Sequence, residues 1–66
     1  MKYCKIIKEL RLENGLSQQD IADYLKIDRS NYSKYELGKI EMNITMLIAL
    51  HDLYKVSTDY ILGLED

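Results

Sequence analysis

The 66-residue chain has no proline, no phenylalanine and no tryptophan, so six tyrosines carry its whole aromatic load. A single cysteine, Cys4, excludes an internal disulfide framework and reads as a small hydrophobe on the first helix. One cysteine and one histidine cannot supply the four ligands of a structural zinc site, so neither a metal nor a cofactor is expected. That histidine, His51, reads as a packed or half-exposed side chain. No apolar run approaches the ~20 residues that span a bilayer. Met1-Lys2-Tyr3 is not followed by the core of a signal peptide, so the expectation is a cytoplasmic protein with no membrane partner. Catalysis is excluded on similar grounds. Ser17, Ser30, Ser33, Ser57 and Asp59 supply hydroxyls and a carboxylate, but the lone histidine falls in a different helix from the first three serines. So short a chain also leaves little room for a substrate pocket, and no small-molecule ligand is expected.

What is present describes a folded chain. Hydrophobic residues make up 47% and charged residues 30%, the balance of a globular rather than a disordered sequence. A domain this small buries only ~60% of the surface its unfolded form exposes, so efficient helix packing or dimerisation must help to hold it together. The net charge of −2 argues against a nucleic-acid partner, but its distribution does not. Residues 1–40 carry eight of the nine basic residues against six acids. Residues 41–66 carry Lys55 against Glu41, Asp52, Asp59, Glu65 and Asp66. Screening limits the reach of a distant charge to ~10 Å, so a basic face matters more for docking on phosphate than the total does.

Periodicity and caps predict five short helices. Ile6, Ile7 and Leu10 share a face of the first, which Asn14-Gly15 ends. Ser17 caps the second, with Asp20 three residues on as a short-armed capping box, and Ile21, Ala22 and Leu25 form its buried face. Asp28 is the cap of the third, which runs to Gly38 with a thin apolar stripe of Tyr32, Tyr35 and Leu37. Its remaining surface is dense with donors. Asn43 caps the fourth, whose core face is read as Ile44, Leu47, Ile48, Leu50 and Leu53; Ser57 caps the fifth, and Gly63 ends it. Lys39-Ile40-Glu41-Met42 is the longest irregular piece. There is no internal repeat and no linker, so residues 1–66 are read as one domain.

The informative stretch is LSQQDIADYLKIDRSNYSKYELGK, Leu16 to Lys39. Two short helices lie three or four residues apart, the second with a polar outer face. That spacing suits a motif in which one helix crosses a phosphate backbone and the next enters the major groove. These residues resemble the phage-repressor/Cro-like (Xre-type) helix-turn-helix family. The pattern stands here as Leu16-Ser17-Gln18, Ala22, Arg29-Ser30-Asn31-Tyr32-Ser33-Lys34 and Tyr35-Glu36-Leu37-Gly38-Lys39, followed by Leu47, Ile48, Leu50 and Val56 through Gly63. The likeness covers about Ile6 to Gly63.

The resemblance implies an all-α, compact five-helix bundle with a helix-turn-helix, like the lambda repressor DNA-binding domain. It implies a sequence-specific regulator of transcription, a repressor by preference, whose third helix reads a double-stranded operator. Arg29, Ser30, Ser33 and Lys34 match positions that face bases; Gln18, Asn31 and Lys39 match phosphate contacts; Arg11 and Glu36 match a structural ion pair. One such domain reads only ~4–6 base pairs, so a homodimer on two half-sites is expected, joined through helix five and the tail by Tyr60, Ile61 and Leu64. With no separate sensing domain in the chain, control would act through concentration, a partner protein or proteolysis. The sequence departs from the family at Lys26 and Lys55, where glycine is common. A lysine there requires either a different turn or tolerated left-handed strain of ~1–2 kcal/mol. The competing reading is an antitoxin-like or other protein-interaction module on the same fold, which the acidic C-terminal third favours.

Overall fold

Five helices follow one another along the chain in the computed structural model, which describes residues 1–65. They are α1 (Lys2–Glu13), α2 (Gln18–Leu25), α3 (Arg29–Glu36), α4 (Ile44–Tyr54) and α5 (Thr58–Leu62), and no strand occurs among the described residues. The all-α helix-turn-helix bundle is therefore the fold of the chain. Local side-chain chemistry starts three of the helices. Ser17 accepts from the Asp20 amide at 3.0 Å while Asp20 accepts from the Ser17 amide at 2.8 Å, a complete capping box. Asn43 accepts from the Met46 amide at 2.8 Å, and Ser57 from the Tyr60 amide at 3.0 Å. Asp28 holds the cap position of α3, but its side chain makes no capping bond.

The helix ends share one device. After α1, α2, α3 and α5 a residue in the left-handed region turns the chain, and two backbone N–H groups reach back into the last turn. For α5 these run from Gly63 to Tyr60 at 3.1 Å and from Leu64 to Asp59 at 2.9 Å. For α2 they run from Lys26 to Asp23 at 3.2 Å and from Ile27 to Ala22 at 3.0 Å. Lys26 (φ 60°) and Lys55 (φ 58°) thus occupy the conformation that glycine adopts elsewhere in the chain. The fold keeps the turn and tolerates the strain.

The core gathers Ile7 and Leu10 from α1, Ile21 and Ala22 from α2, Tyr32 from α3, Met46, Leu50 and Tyr54 from α4, and Ile61 from α5. The Met42 amide donates to the Tyr3 hydroxyl at 3.0 Å, which pins the loop before α4 to the start of α1. Three expectations need correction. On α1, Ile7 and Leu10 are buried and the half-buried Ile6 packs against the core, but the inward face also takes in Tyr3, Cys4 and Arg11. On α4, Ile44 and Ile48 point to solvent, while Met46, Leu50 and Tyr54, spaced four apart, point inward. That helix is apolar nearly all round, so pattern alone does not choose its face. On α3, Leu37 is 64% exposed rather than part of the apolar stripe.

His51 is exposed, and its Nδ1 meets the Val56 carbonyl across the α4–α5 turn. Among the described residues no helix is long and apolar enough to cross a membrane.

Candidate nucleic-acid interface

Tyr32 fixes how α3 sits. It is fully buried, which turns the opposite side of the helix outward. Ser30 and Lys34 stand one turn apart on that side, and Arg29 and Ser33, also one turn apart, lie beside them on the flank nearer Tyr32, so that the four form a strip two residues wide. Arg29, Ser30 and Lys34 are exposed and Ser33 is half-buried. Leu37, one turn beyond Ser33, prolongs the strip with an apolar end. Asn31 is exposed but lies about 100° round the helix from Ser30, on the flank. Lys39 follows the Gly38 turn; its amide donates to the Lys34 carbonyl at 2.9 Å, so its backbone is tied to the end of α3.

Behind this surface is a buried polar cluster centred on Glu36. Arg11 Nε donates to one carboxylate oxygen at 2.8 Å and Arg11 Nη2 to the other at 3.1 Å, a two-pronged pair between α1 and α3. The side chains are 9% and 3% exposed, respectively. Tyr32 donates its hydroxyl to Glu36 at 2.5 Å, and Gln18 donates its side-chain amide at 3.2 Å. The third arm of the guanidinium, Nη1, reaches the Leu16 carbonyl at 3.0 Å and ties the α1–α2 turn to the same cluster.

Burial alone would raise the Glu36 pKa. The donors from Arg11, Tyr32 and Gln18 outweigh it and hold the carboxyl below its ordinary value. The Glu36 hydrogen bond in turn holds the Arg11 guanidinium above its usual value. Burial first, and then the Glu36 charge, push the Tyr54 hydroxyl up to about 12 and that of Tyr32 higher still. At α2, the Ser17 amide and hydroxyl keep the exposed Asp20 carboxyl below its ordinary value.

The residues matched to DNA contacts thus fall into separate places. Arg29, Ser30, Ser33 and Lys34 share one outer face, Asn31 flanks it, and Lys39 lies past its end. Gln18 is half-buried in the first turn of α2, with its amide on Glu36. Sequence reasoning missed the Tyr32 and Gln18 bonds to Glu36. Tyr32 precedes Glu36 by four residues, a spacing that puts both on one helix face and was available as a signal. Gln18 is 18 residues away, and no local pattern points to it. Ile61, read as a dimer contact from its apolar character, is fully buried within the chain's own core and cannot meet a second chain. Tyr60 is 38% and Leu64 73% exposed, while Asp66 of the tail lies outside the described residues.

The helix-turn-helix family profile matches residues 7–61. Several Bacillus subtilis (strain 168) proteins are similar to the chain. The SPbeta prophage-derived HTH-type transcriptional regulator YonR is 45% identical over 56 residues, covering 85% of this chain and 52% of that protein. The HTH-type transcriptional regulator ImmR is 38% identical over 66 residues, covering 100% of this chain and 52% of its own length. The HTH-type transcriptional regulator YobD is 38% identical over 64 residues, covering 97% and 57%. The chain therefore spans about half the length of these relatives. No solved structure matches it. The α2–α3 geometry, the profile across almost the whole chain and this degree of identity agree, and the chain belongs to the Xre-type helix-turn-helix family.

Proposed function

We propose that this chain is a sequence-specific, double-stranded-DNA-binding regulator of transcription, acting as a repressor. The observation that carries the reading is the strip of Arg29, Ser30, Ser33 and Lys34 on the outer surface of α3, with Arg29, Ser30 and Lys34 exposed while Tyr32 is buried on the inward side. A major groove admits one α-helix, and only there does each base pair present a distinct pattern of donors and acceptors. In this reading α3 lies in the groove and Arg29, through its planar fork, contacts guanine for ~1–3 kcal/mol of discrimination. Ser30, Ser33 and Lys34 meet neighbouring base edges. Gln18, Asn31 and Lys39 meet phosphates on either side, Gln18 from the N-terminal turn of α2 where backbone N–H groups favour an anion. Arg11 and Glu36 serve the structure.

Residues 1–66 act as one helix-turn-helix domain in this proposal and dimerise to read two half-sites. Tyr60 and Leu64 belong to the joining surface; Ile61 does not. Ile44 and Ile48, 73% and 51% exposed on α4, add apolar area near α5. The same exposed residues favour the second reading, a protein-interaction module of antitoxin type.

Salt separates the two. Lys39, the one cation among the phosphate contacts assigned above, would neutralise two phosphates in a dimer, a log–log slope near −2 at ~0.9 per contact. In fluorescence-anisotropy titration of duplex DNA the affinity is expected to fall about tenfold between ~50 and ~200 mM salt. No binding at the lower salt by folded protein favours the interaction module.

A further inference from the structure

The amide of Gln18 is not free to choose its orientation. A carboxylate only accepts, so the contact with Glu36 at 3.2 Å requires that an N–H of the Gln18 amide, and not its carbonyl, meet the carboxylate. Glu36 itself is full. Each of its oxygens takes one Arg11 nitrogen and one further donor, Tyr32 on one side and Gln18 on the other. Of these donors only Gln18 belongs to the surface assigned to DNA. Its NH2 group has two hydrogens, of which Glu36 takes one.

We propose that Glu36 is a positioning residue for the phosphate contact made by Gln18, linking the buried ion pair of α1 and α3 to the DNA-facing turn of α2. With the carboxylate in place, the second N–H of Gln18 is presented to an anion at the helix N-terminus. Without it, the amide turns freely and offers its carbonyl, a repulsive group for a phosphate oxygen, half of the time. The Arg11–Glu36 pair thus does more than hold two helices together. It sets the orientation of a neutral side chain that would otherwise be indifferent. The inference rests on the DNA-binding reading above.

Two measurements test it. In the free protein, nitrogen-15 correlation spectra report the two Gln18 amide protons. The expected result is a well-separated pair, with one proton shifted downfield and slow to exchange with water, collapsing towards an ordinary glutamine pair in Glu36→Gln. Then DNA affinity is measured for wild type, Gln18→Ala, Glu36→Gln and the double variant, at a temperature where all are folded. Positioning through Gln18 makes the effects non-additive: Glu36→Gln is expected to weaken binding about three- to tenfold in the wild-type background and hardly at all beside Gln18→Ala.

A role confined to folding would lower stability but leave the two effects additive on DNA, and additivity overturns the proposal. Should Glu36→Gln fail to fold, the wild-type spectrum still decides, because two averaged, fast-exchanging Gln18 protons overturn it. Wild type that binds no DNA overturns both this inference and the function it rests on. Wild type that binds, with additive variants, overturns this inference alone.

Discussion

Replacing Arg11 by methionine tests what holds the bundle together. The substitution keeps the aliphatic bulk of the side chain and removes the guanidinium that makes three hydrogen bonds, two to Glu36 and one to the Leu16 carbonyl. Glu36 remains 3% exposed, with Tyr32 and Gln18 as its only donors, so a negative charge is left stranded. Breaking a buried pair in this way costs about 3–5 kcal/mol. At ~0.05–0.15 kcal/mol per residue a domain of this length has roughly 3–10 kcal/mol in all. Arg11→Met is therefore expected to lower the melting temperature by at least about 12 °C, at the ~4–8 °C per kcal/mol usual for small domains. Adding Glu36→Gln is expected to restore at least half of the loss, since the stranded charge is the larger part of the cost.

The pH dependence changes sign with the substitution. In wild type the folded-state pKa of Glu36 lies below its unfolded value. Its contribution is present above the ordinary glutamate pKa of ~4.3 and is lost as pH falls through the lowered value. In Arg11→Met, burial is left as the dominant influence and raises the folded-state pKa. The deficit relative to wild type is then largest at neutral pH and shrinks as the pH falls toward the unfolded value. Urea unfolding followed by far-ultraviolet circular dichroism at pH 7 and pH 5 measures both effects. A loss below about 1 kcal/mol with no dependence on pH is the behaviour of an exposed ion pair and refutes the reasoning.

Three smaller changes test the local devices by thermal unfolding. Ser17→Ala removes one half of the capping box and is expected to cost about 1 kcal/mol, with an unchanged melting temperature contradicting the role given to the cap. Lys26→Gly relieves the left-handed strain at φ 60° and is expected to stabilise the domain by about 0.5–1 kcal/mol after glycine's extra entropy cost; a net loss would show that the lysine stem packs favourably there. Gly63→Ala places a Cβ 2.8 Å from the Lys2 Cβ at a φ of +78°, and is expected to cost more than about 1 kcal/mol by prising α5 from the start of α1.

Most of the architecture is written in short-range chemistry, which is why it is legible in the sequence. Ser17, Asn43 and Ser57 each cap through a bond to a residue three positions on, so identity and spacing together reveal the helix start. Asn14-Gly15 and Gly63 mark their ends in the same local way. The α4 face was legible only in part: Leu50 is buried and Leu47 and Leu53 pack against the core as read, but Ile44 and Ile48 compete with Met46 and Tyr54 for the inward side, and packing against other helices decides. Ile61 was misplaced for a related reason. An apolar residue near a chain end looks spare until the core that encloses it is known. On α3 the outer strip follows from the sequence once Tyr32 is placed inside. The Gln18–Glu36 bond does not, since it depends on how two helices cross rather than on spacing along either.

Selection of bound duplexes from a random DNA pool, with Arg29→Ala beside the wild-type protein, tests the central claim most directly. The account predicts an enriched site of two symmetric half-sites about one helical turn apart, whose guanine preference at one position per half-site relaxes in Arg29→Ala. A folded wild-type protein that enriches no sequence, or an Arg29→Ala variant that selects the same site with the same preference, would contradict it.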